Sequence, residues 1–222
     1  MLMEATWRRV LAGTGLRTAV VIVPVTADDR AVHLLSASER ARVAALRVPK
    51  RRAEWLAGRA AAKRAALALL EPRPTPDAVE CGRSPGGAPQ VVVAGAIVRD
   101  VSVTIAHAGG IAGAVAALRA PIGFDIEPLA PVDRALALRA FSERERASLA
   151  AAPSPLEATR RALCLWTAKE AVLKALRVGL RWPPARVEVE LEHGRAHACG
   201  ALFRIETVMT PRYVAAIALA GA

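Results

Sequence analysis

The residues best placed by type and spacing to do chemistry are two acids in "GFDIE", Gly123 to Glu127, and one acid between two lysines in "WTAKEAVLK", Trp166 to Lys174. In the first stretch the side chains alternate, so Ile122, Phe124 and Ile126 share one face of an expected strand, and Gly123, Asp125 and Glu127 the other. Carboxylates placed side by side repel each other unless a cation or protons intervene. Gly123 beside them leaves space for a ligand or another backbone. The competing reading is the solvent-facing edge of a strand. In the second stretch Trp166, Glu170 and Lys174 follow at i, i+4 and i+8 on one helical stripe, next to a buried stripe of Leu165, Ala168, Val172 and Leu176. Should Glu170 face Asp125 and Glu127, the three acids make an oxygen-only site suited to Mg²⁺. Lysine is itself a signal here, because only four of the 31 basic residues are lysine, and Lys169 and Lys174 are two of them. A plain surface pair with Glu170 would be served equally by arginine. Lys169 lies at the edge of the apolar stripe, where it snorkels or pairs with the acid cluster.

The elements that must position these groups occur twice along the chain. "LLSASERARVAAL" near residue 40 answers to "AFSERERASLAAA" near residue 145, each with a Ser followed three residues later by Glu. That spacing is a capping box, Ser36 with Glu39 and Ser142 with Glu145. A long helical pattern follows in each half: one stopped by Pro72, the other opening at Ser154, Pro155 and Glu157 and stopped at Gly179. Each half ends in a strand-like run, Ile111 to Leu118 and Tyr213 to Ala220. "PQVVVAGAIV" and "VSVTIAHA" also read as strands, after a Pro- and Gly-rich loop. The expected fold is α+β, with two similar halves related by a pseudo-two-fold axis, residues 1–119 and 120–222, and a cleft between them. No phosphate-binding Gly-rich loop is present, since "GTGL" and "SPGGAP" lack the spacing and the lysine. His193, His197 and Cys199 have a metal-like spacing without an evident fourth ligand.

The 222 residues, 54% of them hydrophobic and 4% aromatic, exclude a disordered chain and predict a closely packed aliphatic core. Three distant cysteines give no disulfide framework, no apolar run is long enough for a membrane span, and charges interrupt the first residues. A soluble cytoplasmic protein is expected. The net charge of +11 points to acidic or polyanionic partners, and it is uneven: residues 1–119 carry 17 Lys and Arg against 9 Asp and Glu, residues 120–222 carry 14 against 11. Nucleic acid is disfavoured as the partner, because the few aromatics offer little for base stacking and no recognition motif is evident.

"GFDIE" followed about forty residues later by "WTAKEAVLK" resembles the bipartite signature of the 4′-phosphopantetheinyl transferases, Gly-x-Asp-x-Glu and then Trp-Ser/Thr-x-Lys-Glu-x-x-x-Lys. "GLRWPP" is similar to the family's Gly-Leu-x-x-Pro segment, and Arg59 in "AGR" and His107 in "AHAGG" sit where the family's first half carries coenzyme A contacts. Length and two-halved organisation resemble the single-chain, surfactin-synthetase-activating type, which implies a monomer. The resemblance implies transfer of the phosphopantetheine arm of coenzyme A to a serine of an apo acyl, peptidyl or aryl carrier protein, with Mg²⁺ and release of 3′,5′-ADP. Asp125, Glu127 and Glu170 would hold the metal, Glu170 would take the serine proton directly or through water, and Lys174 would neutralise the pyrophosphate. Lys169 joins the coenzyme A contacts. The 3′-phosphate would fall to a basic helical stripe of Arg52, Arg59 and Lys63, with His107 reaching in from a strand end. The histidine's flanking serines are here Ala106 and Ala108, and Ala88 stands where the family tends to place a basic residue; Arg83 and Arg73 on the same loop are candidates to compensate. A chain that binds coenzyme A without transferring, and a basic nucleic-acid-binding protein, are the alternatives.

Overall fold

Two serines open short helices in the same way. The Glu39 amide donates to Ser36 Oγ (3.2 Å) and the Ser36 amide donates back to Glu39 Oε2 (3.0 Å); Glu145 and Ser142 repeat this at 3.2 and 2.8 Å. These boxes start α2 (Ala37–Ala44) and α5 (Glu143–Ala150). The residue ahead of each cap, Leu35 or Phe141, is fully buried, and its carbonyl accepts from the arginine one position beyond the box, Arg40 or Arg146. The first half thus receives the helix-opening device that the second also carries. In this computed structural model, residues 2–27 and 29–221 are described.

The chain divides into two compact units, Met1–Pro121 and Ile122–Ala222. In the first, α1 (Leu2–Ala12) precedes β1 (Thr18–Pro24), and after α2 comes the long α3 (Pro49–Leu67). A hairpin and short strand, β2 (Val79–Arg83), β3 (Pro89–Val93) and β4 (Ala96–Ile97), form one antiparallel sheet. β5 (Val101–Ala108) and β6 (Ile111–Leu118) complete a second sheet in the order β1-β6-β5, with β1 running from Thr18 opposite Ala117 to Pro24 opposite Ile111. α3 packs on this sheet through fully buried alanines such as Ala61, Ala62, Ala65 and Ala66.

The second unit opens on a strand and builds a single sheet where the first builds two. β7 (Ile122–Pro128) is followed by α4 (Arg134–Ala140), α5 and the long α6 (Pro155–Ala175). β8 (Glu188–Glu190), β9 (Arg195–Ala198), β10 (Ala201–Met209) and β11 (Tyr213–Ala220) then build one antiparallel sheet, β7-β11-β10-β9-β8. β7 runs from Ile122 opposite Leu219 to Pro128 opposite Tyr213. Small side chains at Ala168, Ala171, Ala216 and Ala218, all fully buried, bring α6 close to the sheet. Among the described residues no helix is long and apolar enough to cross a membrane.

Several boundaries differ from the sequence expectation. α3 ends at Leu67, short of Pro72, and α6 ends at Ala175, short of Gly179, because the chain turns out through left-handed Arg177 (φ 59°) before Gly179 is reached. Ser154 caps α6 by accepting from the Glu157 amide (3.2 Å), but Glu157 itself turns to Arg161 (2.9 Å), so the cap is one-sided. His193 leans on Glu190 (3.3 Å) and Cys199 occupies an exposed left-handed turn (φ 52°). With His197 they form no metal-holding group; among the described residues no set of three His, Cys, Asp or Glu side chains does.

Candidate active site

β7 contributes Gly123, Asp125 and Glu127 on the face turned to α6; it is the edge strand of its sheet but not solvent-facing, since Ile122 through Ile126 are all buried. A Cβ at Gly123 would lie 1.7 Å from the Ala171 carbonyl oxygen and 2.7 Å from the Ala175 nitrogen. The space beside the acids is therefore filled by helix backbone and not by a ligand. This close approach delivers α6's side chains onto the strand: Lys174 Nζ donates to Asp125 Oδ1 at 2.7 Å, and Trp166 Nε1 donates to Glu127 Oε1 at 3.0 Å.

Glu170 lies between these two contacts on the same stripe of α6. Burial, then the negative charge of Asp125 and of Glu127, push its carboxyl up to about 7, against a smaller opposing pull from Lys174. Glu127 is also raised, by burial and by Asp125, with the Trp166 hydrogen bond working the other way. Strand and helix acids thus share one electrostatic neighbourhood, although they form no preassembled three-ligand set. Asp125 is 6% exposed, and its Oδ2 is buried with no hydrogen-bond partner. A buried carboxylate oxygen without a partner costs on the order of 1–3 kcal/mol. Together with two raised glutamates, it is a donor set that a hard divalent cation would relieve.

Two further lysines are placed differently. Lys169 is fully buried and does not face the acids; its ammonium is held by Glu145 (2.9 Å) and by the carbonyls of Pro184 (3.0 Å) and Val187 (2.5 Å). Lys63 is fully buried in the same manner against Glu39 (2.5 Å), which also accepts from the Cys81 amide (3.0 Å). Both are corrections to the expected ligand contacts. In each unit the glutamate of the capping box pins a buried lysine of the long helix, and a compact ammonium with three donors fits that enclosed place better than a planar guanidinium.

The basic stripe of α3 is also redistributed. Arg52 is committed to both oxygens of Asp29 (2.7 and 2.6 Å) and to the Val43 carbonyl (2.8 Å), a second correction. Arg59 and His107, by contrast, line one cleft of about 560 Å³ in the first unit, together with Arg42, Arg51, Arg83 and Trp55. Arg59 donates to the Cys81 carbonyl, lies 4.8 Å from the Trp55 ring centre and is 3.8 Å from Glu39. Its pKa is lowered by burial, which Glu39 and Cys81 partly offset. His107 Nε2 is 3.8 Å from Glu54. Arg83 sits directly opposite Pro89 in the β2–β3 hairpin, one residue from Ala88, so this hairpin carries its cation on the facing strand. Arg83, already a sequence candidate to compensate for Ala88, lines the cleft; the stripe that Trp166 shares with Glu170 and Lys174 pointed it towards the acids, but its hydrogen bond to Glu127 was not read from it.

An antiparallel sheet with an acid-bearing edge strand, covered by a helix with Trp, Glu and Lys on one stripe, defines a polar site for charged, oxygen-rich chemistry. Residues 121–217, nearly all of the second unit, match a family model, the 4′-phosphopantetheinyl transferase superfamily. Members of this superfamily are transferases acting on coenzyme A and carrier proteins in general, and both motifs lie inside the matched span. No curated protein matches the chain.

Proposed function

We propose that this protein moves the 4′-phosphopantetheine arm of coenzyme A onto a serine hydroxyl of an apo acyl, peptidyl or aryl carrier protein, releasing 3′,5′-ADP. The observation that carries the reading is the cluster of Asp125, with its unpartnered buried oxygen, Glu127 and the raised Glu170 beside Lys174. Asp125, Glu127 and Glu170 would hold Mg²⁺, which when bound neutralises charge on the pyrophosphate. Glu170, directly or through water, would take the serine proton. Trp166 holds Glu127 by its indole N–H and fixes which carboxylate oxygen remains open. Lys174 moves from Asp125 Oδ1 to the phosphoryl oxygens, where its ammonium can neutralise the departing pyrophosphate half and supply a proton.

In the first unit, Arg59 and His107, with Arg42, Arg51 and Arg83 around them, take the 3′-phosphate of coenzyme A. The protein works as a monomer of the surfactin-synthetase-activating type. All three cysteines are free, in keeping with work in a reducing cytoplasm. Acidic carrier domains dock with on-rates that fall as salt rises. Incubation with coenzyme A, Mg²⁺ and an apo carrier, followed by the intact mass of the carrier, tests the reading. A phosphopantetheine-sized gain is expected; coenzyme A binding with no gain on any of a panel of carriers would replace it with the non-transferring alternative.

A further inference from the structure

A second cavity, of about 380 Å³, lies within the first unit and is not used by the reading above. Its wall is apolar: Val23 at the end of β1, and Leu56, Ala57 and Ala60 of α3. Arg30, His33 and Arg64 stand on its rim, and no Asp or Glu among the described residues lines it. Arg64 is exposed. His33 Nδ1–H donates to the Arg30 carbonyl (2.6 Å).

Its position in the fold is informative. β1 and β7 both end in proline opposite the first residue of a later strand, Pro24 with Ile111 and Pro128 with Tyr213. Counting back from those prolines, Val21 stands where Asp125 stands in the second unit, and Val23 where Glu127 stands. The buried lysines set the helical register, Lys63 on Glu39 and Lys169 on Glu145. In that register Arg64 matches Glu170, Ala60 matches Trp166 and Ala68 matches Lys174. Of these positions Val23, Ala60 and Arg64 line the cavity, so it carries a valine, an alanine and an arginine where the same count in the second unit gives Glu127, Trp166 and Glu170. Such a place rejects a divalent cation and suits an anion with an apolar body.

We propose that this cavity is a ligand site for a monocarboxylate with a short unbranched aliphatic chain, the chain lying on Val23, Leu56, Ala57 and Ala60 and the carboxylate on Arg64. A volume of about 380 Å³ is within the range of small-molecule pockets. The site goes beyond transfer chemistry and does not depend on it. The test uses the full chain and octanoate below its aggregation range, with octylammonium as the charge-reversed probe, read by calorimetry and saturation-transfer NMR. Octanoate is expected to bind once per chain and octylammonium not at all. Arg64→Glu, at an exposed position, should weaken octanoate at least tenfold in a chain that still unfolds cooperatively, and Ala60→Leu, whose larger side chain enters the cavity, should do the same. Absence of saturable octanoate binding, equal binding of octylammonium, or undiminished binding to Arg64→Glu would overturn the proposal, whatever the carrier assay shows.

Discussion

Replacing Glu170 by Gln removes a charge that the folded chain holds at a cost. The carboxyl sits at about 7, against an ordinary glutamate value near 4.5, through burial and the neighbouring acids. Between those values the folded protein keeps a proton that the unfolded chain has released, so folding stability falls as pH rises through this window. The whole penalty is present above about pH 7 and vanishes below about pH 4.5. At about 1.4 kcal/mol per tenfold change, the shift corresponds to about 3 kcal/mol, reduced to about 2 kcal/mol because the group is partly solvated. Glutamine is neutral at every pH. Glu170→Gln should therefore be about 2 kcal/mol more stable than the parent at pH 8.5 in chelator, within about 0.2 kcal/mol of it near pH 4, and inactive in the carrier mass assay. Urea unfolding at the two pH values reads the first pair of outcomes. An equal stability difference at both pH values, or a destabilised variant at pH 8.5, would refute the electrostatic picture, and retained turnover would remove Glu170 from the chemistry.

Lys174→Arg keeps the charge but loses the compact proton donor; turnover should fall at least tenfold with little change in coenzyme A affinity, measured by steady-state kinetics against direct titration. Gly123→Ala places a methyl 1.7 Å from the Ala171 carbonyl and must lift α6 off β7, so urea unfolding should show a loss of about 3 kcal/mol or more. Arg59→Ala should raise the KM for coenzyme A about tenfold while leaving 3′-dephospho-coenzyme A unchanged, since the contact assigned to it is the 3′-phosphate. Lys169→Met leaves Glu145 without its buried partner and should cost about 3–5 kcal/mol of stability, with Glu145→Gln in the same chain restoring part of it.

Local signals carried much of the fold. Ser36 with Glu39 and Ser142 with Glu145 are three residues apart, so their capping boxes could be read directly, and the runs Ile111–Leu118 and Tyr213–Ala220 are strands with those bounds. The acids were legible for the same reason, since Asp125 and Glu127 alternate with buried residues and Glu170 shares a stripe with Lys174. Contacts across long separations were not. Lys63 reaches Glu39 over 24 residues and Trp166 reaches Glu127 over 39, and in an alanine-rich helix a lysine at such a position looks like one on the surface. Arg52 fell on the basic stripe by angle, yet Asp29 in a distant loop claims it. Gly123 was legible as a place for a ligand or another backbone, but which of the two takes it was not, because helical backbone leaves no side-chain pattern to count; the backbone of α6 does.

In the proposed reaction, acids from β7 and α6 would hold one divalent cation at the place where coenzyme A presents its pyrophosphate. Mn²⁺ titrated into the full chain with coenzyme A, followed by electron paramagnetic resonance of the free ion, measures this directly. One saturable site per chain, strengthened by coenzyme A and lost in both Asp125→Asn and Glu170→Gln, is the predicted result. Mn²⁺ that stays free in the presence of coenzyme A, or binding that survives Asp125→Asn unchanged, would contradict it.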